Sequence, residues 1–181
     1  MSDLPQLLEG NRQFTAHFAD GDLPIRPRLS TIVLTCLDAR VDPAHLFDLQ
    51  LGDALVIRNA GGRLNPSVLT DLAVLGLLAA ALSGDKAMTQ ELVILHHTDC
   101  GMSRFADPSA QEALAQRLGI EPDEVATTMA ITDPAQSVRD DITRLRQAPG
   151  PLDTLVVSGL VYDVADGTVE QIVAPAPLRI T

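Results

Sequence analysis

Ser30-Thr31-Ile32-Val33-Leu34-Thr35-Cys36 is the stretch whose reading decides the fold. It is a short apolar and β-branched run, the signal of a buried strand. Two similar runs lie downstream, Ala54–Arg58 after the turn Gly52-Asp53 and Glu91–His97, and a fourth strand is expected at Asp153–Ser158. Helical segments alternate with them. Pro43 opens a brief helix through Leu49, Pro66 starts a long one to about Ser83 that Gly84 closes, and Ser109–Leu118 and Pro134–Gln147 supply two more. A hairpin is expected at Asp166-Gly167, pairing Leu160–Val164 with Thr168–Val173. Strands that alternate with helices imply right-handed βαβ units, and so an α/β fold with a mostly parallel central sheet flanked by helices.

Outside this core, Leu4, Leu7, Leu8, Phe14 and Phe18 recur at roughly helical spacing, predicting an amphipathic helix over residues 4–18. Gly21–Arg28, with two prolines, reads as a linker. The expected organisation is therefore residues 1–28 as an N-terminal helix and linker, and residues 29–181 as the catalytic α/β domain.

Composition narrows the function. The chain has 181 residues, enough for one domain with a substantial core. It is 46% hydrophobic, but only 3% aromatic with no Trp, so Ala, Val, Leu and Ile must build that core. A net charge of −11 argues against nucleic acid or an anionic membrane as partner, because phosphate surfaces would repel it. The longest apolar run, Leu72–Leu82, is too short to span a bilayer and reads as a buried helix. Residues 1–20 lack the basic start and continuous apolar stretch of a signal peptide. With only two cysteines, the expected location is a reducing cytoplasm, without a disulfide framework.

Those two cysteines then need another explanation. Ligands of open α/β sheets sit beyond the carboxyl ends of the strands, where strand order reverses. Cys36 ends the first strand, and His97 and Cys100 follow the third at a two-residue spacing that lets a turn direct both to one ion. Two thiolates and an imidazole suit Zn²⁺, which in catalytic sites takes three protein ligands and leaves the fourth position for water. Taken singly, each residue has a blander reading: a buried Cys as a small hydrophobe, a His as a satisfied core or surface group. His96 points to the other side of its strand and takes that bland reading; His17 and His45 are expected to face solvent. Asp38 and Arg40 by themselves would be an ordinary ion pair of small worth, yet they directly follow a candidate ligand. The glycines of the loops Asn59–Gly62 and His97–Gly101, notably Gly61 and Gly101, are placed to let backbone approach a small substrate.

Three runs, Cys36-Leu37-Asp38-Ala39-Arg40, Val56-Ile57-Arg58-Asn59-Ala60-Gly61 and His97-Thr98-Asp99-Cys100-Gly101, resemble in order and spacing the signature segments of β-class carbonic anhydrases. The resemblance covers about residues 30–105, and the chain's length is similar to that of small members of the family. It implies Cys36, His97 and Cys100 as zinc ligands, Asp38 and Arg40 as a catalytic dyad, and a homodimer or higher homo-oligomer; the amphipathic helix of residues 1–28, set apart by its proline-containing linker, is expected to pack its apolar face on a partner subunit. The implied activity is the reversible hydration of carbon dioxide to bicarbonate by hydroxide on the zinc. Because two thiolates formally cancel the charge of zinc, its water should lose a proton less readily than the value of about 7 at a three-histidine site. If the Asp38–Arg40 pair opens, Asp38 can become a fourth ligand and close the site. Two competitors share these residues: a carbonyl sulfide or carbon disulfide hydrolase on the same scaffold, and a non-catalytic zinc protein with a closed site. A nucleotide-binding domain is disfavoured, since no glycine-rich phosphate motif follows the first strand.

Overall fold

Asp42, Asp107 and Asp133 each precede a proline, and each carboxylate accepts backbone N–H groups from the first turn of the helix that follows. Proline at the first helical position loses no hydrogen bond, because that N–H has no intrahelical partner anyway. This repeated Asp-Pro signal starts three of the helices in a computed structural model that describes residues 2–83, 90–149 and 155–179. The strands are β1 (Thr31–Cys36), β2 (Ala54–Asn59), β3 (Gln90–His97), β4 (Leu155–Tyr162) and β5 (Val169–Pro177). The helices are α1 (Leu4–Thr15), α2 (Pro43–Leu46), α3 (Pro66–Ser83), α4 (Pro108–Leu118), α5 (Pro122–Thr128) and α6 (Pro134–Gln147), with 3-10 turns at Ala60–Gly62 and Gly101–Ala106.

The five strands form one sheet in the order β2-β1-β3-β4-β5. The first four are parallel and β5 is antiparallel to β4. The chain moves from β1 outward to β2, then crosses back over β1 to β3. The order of strands therefore reverses beside β1, and the crevice of an open α/β sheet opens there.

One sheet face, with Ile32, Leu34, Leu92, Ile94 and Val157, packs on Val68 and Leu72 of α3 and on Val138, Ile142 and Leu145 of α6. The other face buries Val33, Leu95 and Tyr162 with Val41. Helix α6 lies so close to β4 that a Cβ on Gly159 would stand 2.3 Å from Val138 Cγ1. No larger residue fits there unless the Val138 side chain or the helix moves. The sequence pattern divides the chain at this point, with a strand ending at Ser158 and a hairpin arm beginning at Leu160. In the structure β4 is one strand that continues through Gly159, where its pairing with β5 shifts register, and the expected hairpin follows it, with Gly167 in the left-handed region. Its other arm, β5, extends to Pro177. The short helix α5 was not anticipated, while Gly84, Asp153 and Thr154 lie outside the described residues.

The expected N-terminal helix forms but stops at Thr15, and its hydrogen-bonded turn carries on to Phe18. Among the described residues, none in α1 is buried, and Leu7 is 69% exposed. No described helix is long and apolar enough to cross a membrane.

Candidate functional site

Cys36 ends β1 and His97 ends β3, its neighbour in the sheet, so parallel pairing alone brings two strand termini together. The turn after His97 returns Cys100 to the same point. The donor atoms of Cys36, His97 and Cys100 all lie within 4.8 Å of one another, with the sulfurs 4.0 Å apart, and all three residues are buried. His97 Nδ1 donates to the carbonyl oxygen of Thr98 at 2.9 Å, which fixes the tautomer and leaves Nε2 with its lone pair free. Nε2 is fully buried and has no hydrogen-bond partner among the described residues. A buried ring nitrogen without a partner is costly unless an ion or ligand meets it. The donor set fits a soft, four-coordinate dication.

The electrostatics agree. Hydrogen bonding from Cys100 lowers the Cys36 thiol to about 4, against the burial that pushes it up; His97 and the backbone N–H groups of Asp38 and Gly61 add to the lowering. Sharing with Cys36, and then burial, push the Cys100 thiol well above its ordinary value. Burial pushes His97 down, but the Cys36 thiolate and the Thr98 carbonyl outweigh it, so the imidazole is raised. One sulfur is shifted toward its thiolate and the other toward its thiol, beside an imidazole whose pKa is raised. Such a centre stabilises positive charge.

Asp38 stands beside this centre. Its backbone N–H donates to Cys36 Sγ at 3.4 Å. Its carboxylate is held by Arg40 through Nε (3.0 Å) and Nη2 (2.7 Å) in a bidentate pair, and by the backbone N–H of Arg40 (2.9 Å). That pairing, led by the Arg40 side-chain hydrogen bonds, keeps Asp38 well below the usual carboxylate range and raises Arg40. The carboxylate is turned toward the guanidinium, and it is not one of the three clustered donors. Ile131 and Met102 pack against the two cysteines.

Three features escaped the sequence reading. Arg40 also reaches the His97–Cys100 turn, donating to Asp99 Oδ2 at 2.8 Å and to the Asp99 carbonyl oxygen at 3.0 Å. Asp99 takes φ +52°, a left-handed conformation that Asp tolerates better than most residues, and Arg40 holds it there. Arg58 fixes the loop after β1 by donating to the carbonyl oxygens of Cys36, Asp38 and Val41 at 2.8–3.0 Å. Both residues lie inside the strand-end runs, which was the available signal. The third feature is Asp141 of α6, which reaches behind the site with Arg63 and His96; the signal was a carboxylate on the apolar stripe Val138, Ile142, Leu145. Of the two glycines, Gly61 (φ +81°) lies against Ile131 and Met102, whereas a Cβ on Gly101 would meet nothing within 4 Å.

An open α/β sheet with a buried Cys–His–Cys cluster at its reversal point, and a carboxylate–guanidinium pair beside it, is the architecture of a metalloenzyme. The carbonic anhydrase family model matches residues 31–169, and the chain belongs to the β-carbonic anhydrase family of lyases, the carbonate dehydratases. It is similar to beta-carbonic anhydrase 1 of Mycobacterium tuberculosis, with 32% identity over 165 residues, covering 91% of this chain and 94% of that one. The crystal structure of carbonic anhydrase from Streptococcus mutans superposes with a TM-score of 0.74 at 33% identity, covering 95% of this chain and 98% of that one. A carbon disulfide hydrolase of Acidianus is 38% identical over 93 residues, covering 51% of this chain and 41% of that one.

Proposed function

We propose that this chain catalyses the reversible hydration of carbon dioxide to bicarbonate, with zinc held by Cys36, His97 and Cys100. The observation that carries this reading is the convergence of three buried donors, one of them the partnerless Nε2 of His97, beside a carboxylate kept ionised by Arg40. Zinc, when bound, supplies a Lewis acid that makes water a nucleophile near neutral pH. The chain's own residues do the rest. Asp38, ionised and locked by Arg40, accepts a hydrogen bond from the attacking water and so aims an oxygen lone pair at the carbon. Arg40 holds Asp38 away from the sulfurs and ties the two ligand-bearing loops together. Ile131 and Met102 give the apolar substrate a dry wall, and Gly61 and Gly101 let backbone come close to it. Arg40's grip on Asp38 favours this reading over a closed, non-catalytic zinc site.

The similarity to a carbon disulfide hydrolase supports a second reading, hydrolysis of carbonyl sulfide or carbon disulfide by the same residues. One experiment tests both. Metal analysis of the purified protein is paired with a CO₂ hydration assay and with sulfide release from the two sulfur substrates. One zinc per chain with fast hydration is expected; sulfide release with negligible hydration would replace the first reading by the second. Absence of metal would overturn both.

The N-terminal segment extends the proposal. Leu4, Leu7, Leu8, Phe14 and Phe18 are about half exposed or more. Residues 1–28 are proposed to pack on a partner subunit, in a homodimer or larger homo-oligomer, with residues 29–181 as the catalytic unit in the cytoplasm.

A further inference from the structure

Behind the cysteines lies a buried charge cluster that the hydration chemistry does not use. Asp141 is fully buried, and its carboxylate accepts from Arg63 Nε (2.9 Å) and Nη2 (3.0 Å), from the backbone N–H of Leu64 (3.1 Å) and from Arg144 (3.2 Å). Arg63, 3% exposed, also donates to the carbonyl oxygen of Ala130. His96 Nε2 lies 3.2 Å from the Gly62 carbonyl oxygen and 3.5 Å from Asp141 Oδ2. This one carboxylate therefore grips two places. The first is the 3-10 turn Ala60–Gly62, through Arg63 and Leu64. The second is the end of β3, which His96, the residue next to His97, ties to that same turn through the Gly62 carbonyl oxygen with Asp141 Oδ2 close by.

The turn it grips rests on the ligand itself. A Cβ built on Gly62 would stand 2.7 Å from the Thr35 carbonyl carbon and 2.8 Å from the Cys36 nitrogen, so the turn is pressed against the backbone that presents Cys36. Asn59 closes the same turn, exchanging hydrogen bonds with the backbone of Arg63 at 2.8 and 2.9 Å. A buried ion pair is a weak device for stability, since apolar residues of similar volume often replace it without loss. Its placement against both ligand-bearing strands gives it a different use.

We propose that Asp141 is a positioning residue for the metal centre, setting the separation of Cys36 and His97 by clamping the Ala60–Gly62 turn and the end of β3 to α6. The inference rests on the metal reading above. Asp141 touches neither metal nor substrate; it acts through Arg63, Leu64 and His96 upon the residues that do. Metal sites are tuned in this way by outer partners, whose loss costs about 10- to 100-fold in metal affinity.

The test compares the zinc-loaded wild type with Asp141→Asn and with the double variant Arg63→Met/Asp141→Asn. The double variant removes both charges, while the carboxamide oxygen that replaces the carboxylate can still accept from the Leu64 N–H. Zinc loss to a chelator is timed, and the absorption spectrum of the cobalt-substituted proteins is recorded. About 10- to 100-fold faster zinc loss is expected in both variants, with a displaced cobalt d–d band, in protein whose circular dichroism matches the wild type. A folded double variant with wild-type zinc retention and an unchanged cobalt band would overturn the proposal. So would failure of both variants to fold, which would make the pair structural only. A wild type that takes up neither zinc nor cobalt would instead sink the metal reading itself.

Discussion

At the residue scale, the proposed site rests on sulfur chemistry and on one ion pair. Cys36→Ser and Cys100→Ser are expected to lose zinc and activity together, because a hydroxyl is a far poorer ligand than a thiolate; full zinc occupancy in both, measured by elemental analysis, would reject the ligand assignment. Asp38→Ala and Arg40→Ala should each slow hydration by about 100-fold, the cost of a misoriented reactant, but for different reasons. Without Arg40, Asp38 is released to become a fourth ligand, and a crystal structure of Arg40→Ala should show four protein ligands, whereas Asp38→Ala should show three. Near-normal hydration by Arg40→Ala would reduce the pair to an ordinary surface ion pair. Because Arg40 depresses the Asp38 pKa, Asp38 stays ionised as pH falls from about 8 to about 5. Loss of rate across that window therefore does not come from protonation of Asp38, and Asp38→Asn should be slow, with the midpoint of the pH–rate profile moved down because a negative charge beside the attacking water is removed. The convergence of Cys36, His97 and Cys100 is legible because each terminates or follows a strand and the chain has only two cysteines. Asp99 and Arg58 were not, since their partners lie 17 to 59 residues away and only the folded sheet brings them near.

At the scale of the elements, the long helices are legible because a proline stands at the first position of α3 and α6. β4 reads as two pieces in the sequence, a strand to Ser158 and a hairpin arm from Leu160; the fold joins them through Gly159, where the pairing with β5 shifts register and the missing side chain makes room for α6. Gly159→Ala is accordingly expected to destabilise the fold by about 1–3 kcal/mol through overpacking, measured by urea denaturation; an unchanged midpoint would show that α6 can shift freely. α6 carries a second dependence. Burial alone would raise the Asp141 pKa, but the hydrogen bonds from His96 and Arg63 outweigh it and lower the folded value. The unfolded carboxyl titrates near about 3.9, so its contribution to stability is complete above about pH 4 and is lost as pH falls through the lower folded value. Asp141→Asn, which strands a buried Arg63, should cost about 3–5 kcal/mol at neutral pH. That deficit relative to wild type should shrink only in the acid range; a deficit already shrinking between about pH 7 and 5 would contradict the depressed pKa.

At the scale of the whole molecule, α1 shows what a single chain leaves unfinished. A helix with no buried residue gains too little from its own twelve residues to be stable in water. Light scattering at micromolar concentration should give at least twice the chain mass of 19.3 kDa, and Leu7→Glu with Leu8→Glu should lower it. A wild-type monomer with full activity would refute the proposed packing. The pairing of β1 with β3 has a further consequence, for the order of events during folding. Cys36 and Cys100 are 64 residues apart, and β2 and α3 lie between them in the chain. Closing that loop is entropically costly, and until it closes no fragment of the chain presents more than part of the ligand set. On the proposed metal reading, capture is expected to be a late event, with zinc rewarding correct strand order without nucleating it. In refolding from urea, helical ellipticity should recover ahead of zinc uptake, and doubling the zinc should leave the early phase unchanged.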